Sequence, residues 1–147
     1  MSNNMNQIFY NLGLHDASML RKEAKDLTDT QIIAREMSVP AFNPEKDYSA
    51  WPVGAPVTDE GQVWKLIQPH NAAHHAGRPS TLRALWGLCH TKDAAKAKAW
   101  VDPYGTSGMY MKDECYKDEN GVVWRSLVDN NVYTAAAYPM GWVDVSL

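Results

Sequence analysis

Gly61-Gln62-Val63-Trp64-Lys65-Leu66 and Gly121-Val122-Val123-Trp124-Arg125-Ser126 are the stretches that decide the fold. Each is a short β-prone run opened by a turn glycine, and the two tryptophans lie 60 positions apart. An acidic turn precedes each glycine, Asp59-Glu60 in one case and Asp118-Glu119-Asn120 in the other. Upstream stands another aromatic, Trp51 or Tyr110, 13 or 14 residues before the tryptophan. Downstream the order repeats again: an Asn at the same offset (Asn71, Asn131), a proline-containing loop, and a second tryptophan (Trp86, Trp142). A shared order of this kind is the mark of an internal repeat. It divides the chain into a first copy over residues 45–90, a linker over 91–98 and a second copy over 99–147.

Within the copies, Pro, Gly and Asp punctuate short runs: Gln62 to Ile67, Cys115 to Lys117, Val122 to Val128 and Trp142 to Val145. Short β-runs bounded by turn residues predict small antiparallel sheets. The expected fold class is mainly β with a helical N-terminal segment, the β part being two small antiparallel three-stranded sheet modules. Trp51, Trp64, Trp86, Tyr110, Trp124 and Trp142 are the expected structural aromatics, because thin sheets need large side chains to fill a core. Modules of about 45 residues are close to the lower limit for independent stability.

Residues 1–44 read differently. The first thirteen, rich in Asn, are expected to form an extended arm whose apolar cluster is Ile8-Phe9-Tyr10. From Asp16 the spacing of Leu20, Ala24 and Leu27 predicts a short helix. Thr28-Asp29-Thr30-Gln31 has the Thr-x-x-Gln form of a capping box, so a second short helix is predicted through Ile32 and Ile33, ending before Pro40. Ile8, Phe9, Tyr10, Leu20, Ala24, Leu27, Ile32 and Ile33 are expected to be buried against another chain, in a homo-oligomer with a trimer favoured.

The net charge of −3 and the absence of a basic stripe, Lys92 to Lys98 apart, argue against nucleic acid as a partner. No run reaches the length of a membrane span. The segment Met1-Ser2-Asn3-Asn4-Met5-Asn6 lacks a basic region, which predicts no Sec-type leader. Two cysteines, Cys89 and Cys115, fall at non-equivalent places of the repeat and are expected to be free thiols.

The repeated pattern resembles the chitin-binding type of carbohydrate-binding module. The second copy, with Gly105 to Lys112, Asn120 to Leu127, Asp129-Asn130-Asn131-Val132-Tyr133 and Ala137-Tyr138-Pro139-Met140-Gly141-Trp142, is similar to the variant common in bacteriophage tail and virion proteins. Roughly two-thirds of the chain is covered. Where the enzyme-associated modules carry two adjacent exposed aromatics, this sequence has Gln68-Pro69 and Val128-Asp129, and the enzyme-type binding face is missing from both copies. The aromatic of the phage variant's Asn-Asn loop survives as Tyr133; the first copy has His70-Asn71-Ala72-Ala73-His74-His75 there.

The resemblance implies a virion structural protein of tail, fibre or head surface, made in the host cytoplasm, with other virion proteins and host or mucus polysaccharide as partners. Tyr133 and Tyr138 supply flat apolar faces, and Asn130, Asn131 and Asp129 supply hydrogen-bonding groups for a sugar site. The alternative is an architectural adaptor whose modules bind protein and no sugar. His70, His74, His75 and His90 lack an accompanying Cys or carboxylate, so no metal is expected. Neither a nucleophile elbow nor a phosphate loop is present, and no enzyme activity or cofactor is expected.

Overall fold

A computed structural model describes residues 2–147. In chain order the elements are α1 (Ser2–Glu23), α2 (Asp29–Ala34), β1 (Pro56–Asp59), β2 (Gln62–Leu66), β3 (Trp86–Leu88), β4 (Lys98–Ala99), β5 (Cys115–Lys117), β6 (Val123–Ser126) and β7 (Trp142–Asp144). The protein is mainly β with a helical N-terminus. One sheet has the order β1-β2-β3 and is antiparallel throughout. The other has the order β4-β5-β6-β7, an antiparallel meander carrying the two-residue β4 in parallel on its edge.

The two meanders share their hydrogen bonding residue for residue. Trp86 pairs with Leu66, and Trp142 with Ser126, each two positions beyond the central tryptophan. The Leu66 amide donates to the Ala55 carbonyl at 2.9 Å, as Ser126 donates to Glu114 at 2.9 Å. Gly54 and Asp113, which donate to Leu66 and Ser126, both hold a left-handed backbone, at φ 93° and 76°. The bridges Asp47 to Asn71 and Tyr110 to Asn131 close each copy. These bridges correct one pairing. The aromatic that enters the first core beside Trp86 is Tyr48, fully buried with its ring 5.2 Å away, as Tyr110 lies 5.5 Å from Trp142. Trp51 instead stays half-buried at the surface of that core, with the Arg21 guanidinium 4.6 Å above its ring.

Strand alternation gives the first sheet two working faces. Trp64 and Leu66 join Tyr48, Val57 and Trp86 on one side. Val63 points to the other, where Leu20, Ala24, Ile32, Ile33 and Val39 cover it together with Cys89. Leu20, Ala24, Ile32 and Ile33 were expected to meet another chain; they are buried within this one, with Leu27 packed beside them. The helices are a layer of the first module, and each fully buried Leu or Ile contributes about 1.5–3 kcal/mol. The capping box is present: Thr28 Oγ1 accepts from the Gln31 amide at 3.2 Å and Gln31 Oε1 from the Thr28 amide at 2.9 Å.

Ser2 to Gly13 are helical, not an extended arm, and continue α1 without a break. Asn lowers helix propensity, but no proline interrupts the stretch, and a helix anchored at Leu20 and Ala24 lengthens by one bond for each residue fixed. Residues 91–98, read as a linker, are built into the structure. Thr91 is buried and its carbonyl accepts from the Cys115 amide at 2.8 Å; Lys92 donates its amide to Thr30 Oγ1, and Lys98 pairs with Glu36. Beyond them, Trp100 packs into the second core and Val101 against the first.

Candidate functional site

On the second module the residues around Trp124 form an open groove of about 730 Å³. The turn from β5 to β6 builds one end. Asp118 accepts from the amides of Asn120 and Val122, each at 2.9 Å, and from the Trp124 indole N–H at 2.9 Å. That indole bond holds the Asp118 carboxyl below its usual range and fixes the plane of the Trp124 ring. With both oxygens of Asp118 engaged, Lys117, Glu119 and Asn120 are the polar side chains that this end of the groove offers a ligand. The left-handed backbone of Gly121 (φ 81°) completes the turn.

β4 builds the opposite wall. Its parallel pairing to β5 delivers Trp100, whose indole N–H donates to Asp102 at 2.7 Å. The Trp100 ring stacks on buried Tyr110 at 4.9 Å and meets Tyr116 edge-on at 5.0 Å. The floor is small: Ala135, whose amide donates to the Tyr116 hydroxyl at 2.8 Å, then Ala136 and Pro139. Two half-buried tryptophans, a floor of alanines and three polar side chains at the rim form the usual composition of a small-molecule cleft.

The sequence-derived sugar residues lie on the loop beside this groove. Tyr133 is 59% exposed, and its backbone is held by the Trp142 indole N–H donating to its carbonyl at 2.8 Å. Its successor Thr134 lines the groove. Tyr138 is partly exposed and lies over Gly141, where a Cβ would meet its ring at 2.5 Å. Asn130 (φ 56°) and Asp129 are exposed, Asp129 accepting from the Lys112 amide at 2.9 Å. Asn131 does not belong with them. It is 3% exposed, donates to Ser126 Oγ at 3.0 Å and the Gly141 carbonyl at 3.1 Å, and accepts from the Tyr133 amide. Its amide ties the loop to the sheet, as Asn71 caps the equivalent turn by accepting from Ala73.

The first module has the same three-stranded meander without a counterpart of β4, and its central tryptophan is covered. Trp64 is 1% exposed, and its indole donates to the Asp59 carbonyl at 3.3 Å. The Asp59 carboxylate is taken by Arg78, two bonds of 2.8 Å each, while the Arg83 guanidinium lies 5.3 Å over the Trp64 ring. Three residues before the closing tryptophan the first copy has Arg83 and the second has Pro139, and the loop ahead of Pro139 carries Ala135 and Ala136. Sequence reading missed Trp100, Lys117, Glu119, Asn120 and the alanines of this groove. The signal available was the run of small residues Thr134-Ala135-Ala136-Ala137 ahead of Pro139.

His70 packs edge-on against Trp86 at 5.5 Å and His75 at 5.3 Å. Among the described residues no three His, Cys, Asp or Glu side chains converge. Cys89 and Cys115 are buried and unpaired, and burial raises both thiols. No described helix is long and apolar enough to cross a membrane. The fold and groove define a class, a two-meander β-protein with a helical layer on its first module. No protein-family model matches the chain, and no curated protein is similar to it.

Proposed function

We propose that the chain is a non-enzymatic bacteriophage virion structural protein, of tail, fibre or head surface, whose second module holds host-surface or mucus glycans. The observation that carries the binding part is the groove between Trp100 and Trp124, with Lys117, Glu119 and Asn120 on its rim and Tyr133 exposed nearby. Pyranose rings present flat C–H faces and a rim of hydroxyls. Indole faces match the first and amide, ammonium and carboxylate groups the second. The virion part rests on the resemblance of the second copy to phage modules.

Affinity for one groove is expected to be weak. Stacking on an aromatic is worth about 1–3 kcal/mol per ring by analogy with bases on aromatic side chains, so a dissociation constant on the order of millimolar follows, near −4 kcal/mol. Adhesion then depends on many copies acting together.

The test is saturation-transfer NMR and retention on immobilised polysaccharide with the full chain, using chitin oligomers and a panel of bacterial surface polysaccharides. Ala136→Trp fills the groove from an exposed position, and Tyr133→Ala removes the loop aromatic. Loss of binding in the first variant assigns the groove; loss in the second alone assigns the loop. A chain that retains none of these glycans leaves the architectural reading, in which the modules contact only protein.

A further inference from the structure

We infer that the free half of α1 packs against the same helix in other copies of this chain. Met5, Ile8, Phe9, Leu12 and Met19 follow one another at spacings of three, one, three and seven, which places them on a single stripe of the helix. All five are exposed, from 37% for Met19 to 64% for Phe9. The buried anchor of α1, Leu20 with Ala24 just beyond it, begins only after this stripe ends, so the helix is fixed to the first module by its last turns.

A helical stretch standing free in water is marginal at this length even for alanine-rich sequences. This one contains Gly13, Asn6 and Asn11, all poor helix formers. Its stability calls for a packing partner along the stripe. Charge decides which partner. Residues 1–15 contain no Asp, Glu, Lys or Arg. An unlike protein is usually selected by complementary charge, and anionic lipid by a basic face. An uncharged stripe offers neither, whereas copies of it meet without like-charge repulsion. The area is of the right order too. Taking the roughly 200 Å² of an aromatic side chain as an upper bound, five side chains about half exposed hide at most about 500 Å² per helix, so a pair approaches the ~1,000 Å² of a specific interface.

The experiment is sedimentation equilibrium of the full chain from low to high micromolar concentration. Wild type is expected to associate reversibly. Ile8→Glu with Leu12→Glu places two carboxylates per helix in the seam and should weaken association by roughly a hundredfold or more. Near-UV circular dichroism of the tryptophans should stay unchanged, because neither residue touches a core. The conservative pair Ile8→Leu with Leu12→Ile should restore association. A chain monomeric at every concentration, or an oligomer indifferent to the glutamates, overturns the inference. The glycan result is independent. If the grooves bind sugar, the glutamate variant keeps the affinity of single grooves and loses retention on a dense polysaccharide surface; if they do not, sedimentation still decides the helix.

Discussion

His90 offers the sharpest test of how the two modules are joined. It ends the first copy, is buried, and stacks on Tyr110 of the second with ring centroids 3.7 Å apart. Its Nε2 lies 2.9 Å from the Gly108 carbonyl, which can only accept, so Nε2 carries the proton and Nδ1 is bare. Burial is the main cause that pushes its pKa down from 6.5 to about 4; Arg83 acts in the same direction, while the Gly108 carbonyl and Asp29 oppose it. In the unfolded chain the ring titrates near 6.5. Between those values the unfolded state binds the proton and the folded state does not, so stability falls as pH drops through this window. A gap of roughly 2.5 pH units at about 1.4 kcal/mol each is worth about 3 kcal/mol. Urea unfolding between about pH 7 and pH 4 should show that loss beyond what carboxylates cause. His90→Gln, which keeps a donor and cannot titrate, should remove it from the slope. Equal slopes in wild type and variant would refute the account of a neutral, buried junction histidine.

Three further outcomes follow from local geometry. Thr28→Ala removes the cap accepting from Gln31 and should cost about 1 kcal/mol in the urea midpoint, α2 being short and its burial of Ile32 and Ile33 dependent on it. Arg83→Met should leave stability unchanged or raise it, since Nε and Nη2 of this buried guanidinium meet no acceptor and a flexible apolar chain still covers Trp64; a fall above about 1 kcal/mol would show that the Asp102 bond outweighs that burial. Asn131→Ala should destabilise the second module by about 1–3 kcal/mol, read by tryptophan fluorescence, because the Ser126 hydroxyl and Gly141 carbonyl lose their shared donor.

Much of the fold was legible because it is written locally. Gly61 and Gly121 hold left-handed turns, Thr28 and Gln31 close a capping box within four residues, and Val63-Trp64-Lys65-Leu66 alternates in step with the strand. What was not legible depends on partners remote in sequence. Tyr48 and Trp51 are both aromatic and three residues apart; only the bridge of Asp47 to Asn71 shows which enters the core. Leu20, Ala24, Ile32 and Ile33 announced an apolar face, but the strand residue that meets it, Val63, lies thirty or more residues downstream of each. The asparagines of α1 read as breakers because propensity weighs each residue alone. The groove was hidden for another reason: it consists of side chains that are small, and a missing arginine leaves no motif.

The same backbone carries two different surfaces, and the difference follows from what each face must cover. In the first module both faces are occupied, one by the helices over Val63, the other by Arg83 over Trp64 and by Val101. In the second, Trp124 is bordered by Ala135, Ala136 and Pro139 with no arginine over its ring, and the ring is left half open. The junction between them is held by His90 on Tyr110, Thr91 to Cys115, Gln62 to Ala99 and Lys98 to Glu36. These contacts set the direction of the groove relative to α1. Flexible linkage dilutes the effective concentration of a second contact as the linker lengthens, and if the groove binds glycan as weakly as proposed, that dilution would count against it. On the proposed reading the first module would serve as a bracket between the helix and the second module. If the second module holds glycans as proposed, loosening the junction at His90 should reduce adhesion to a dense glycan surface.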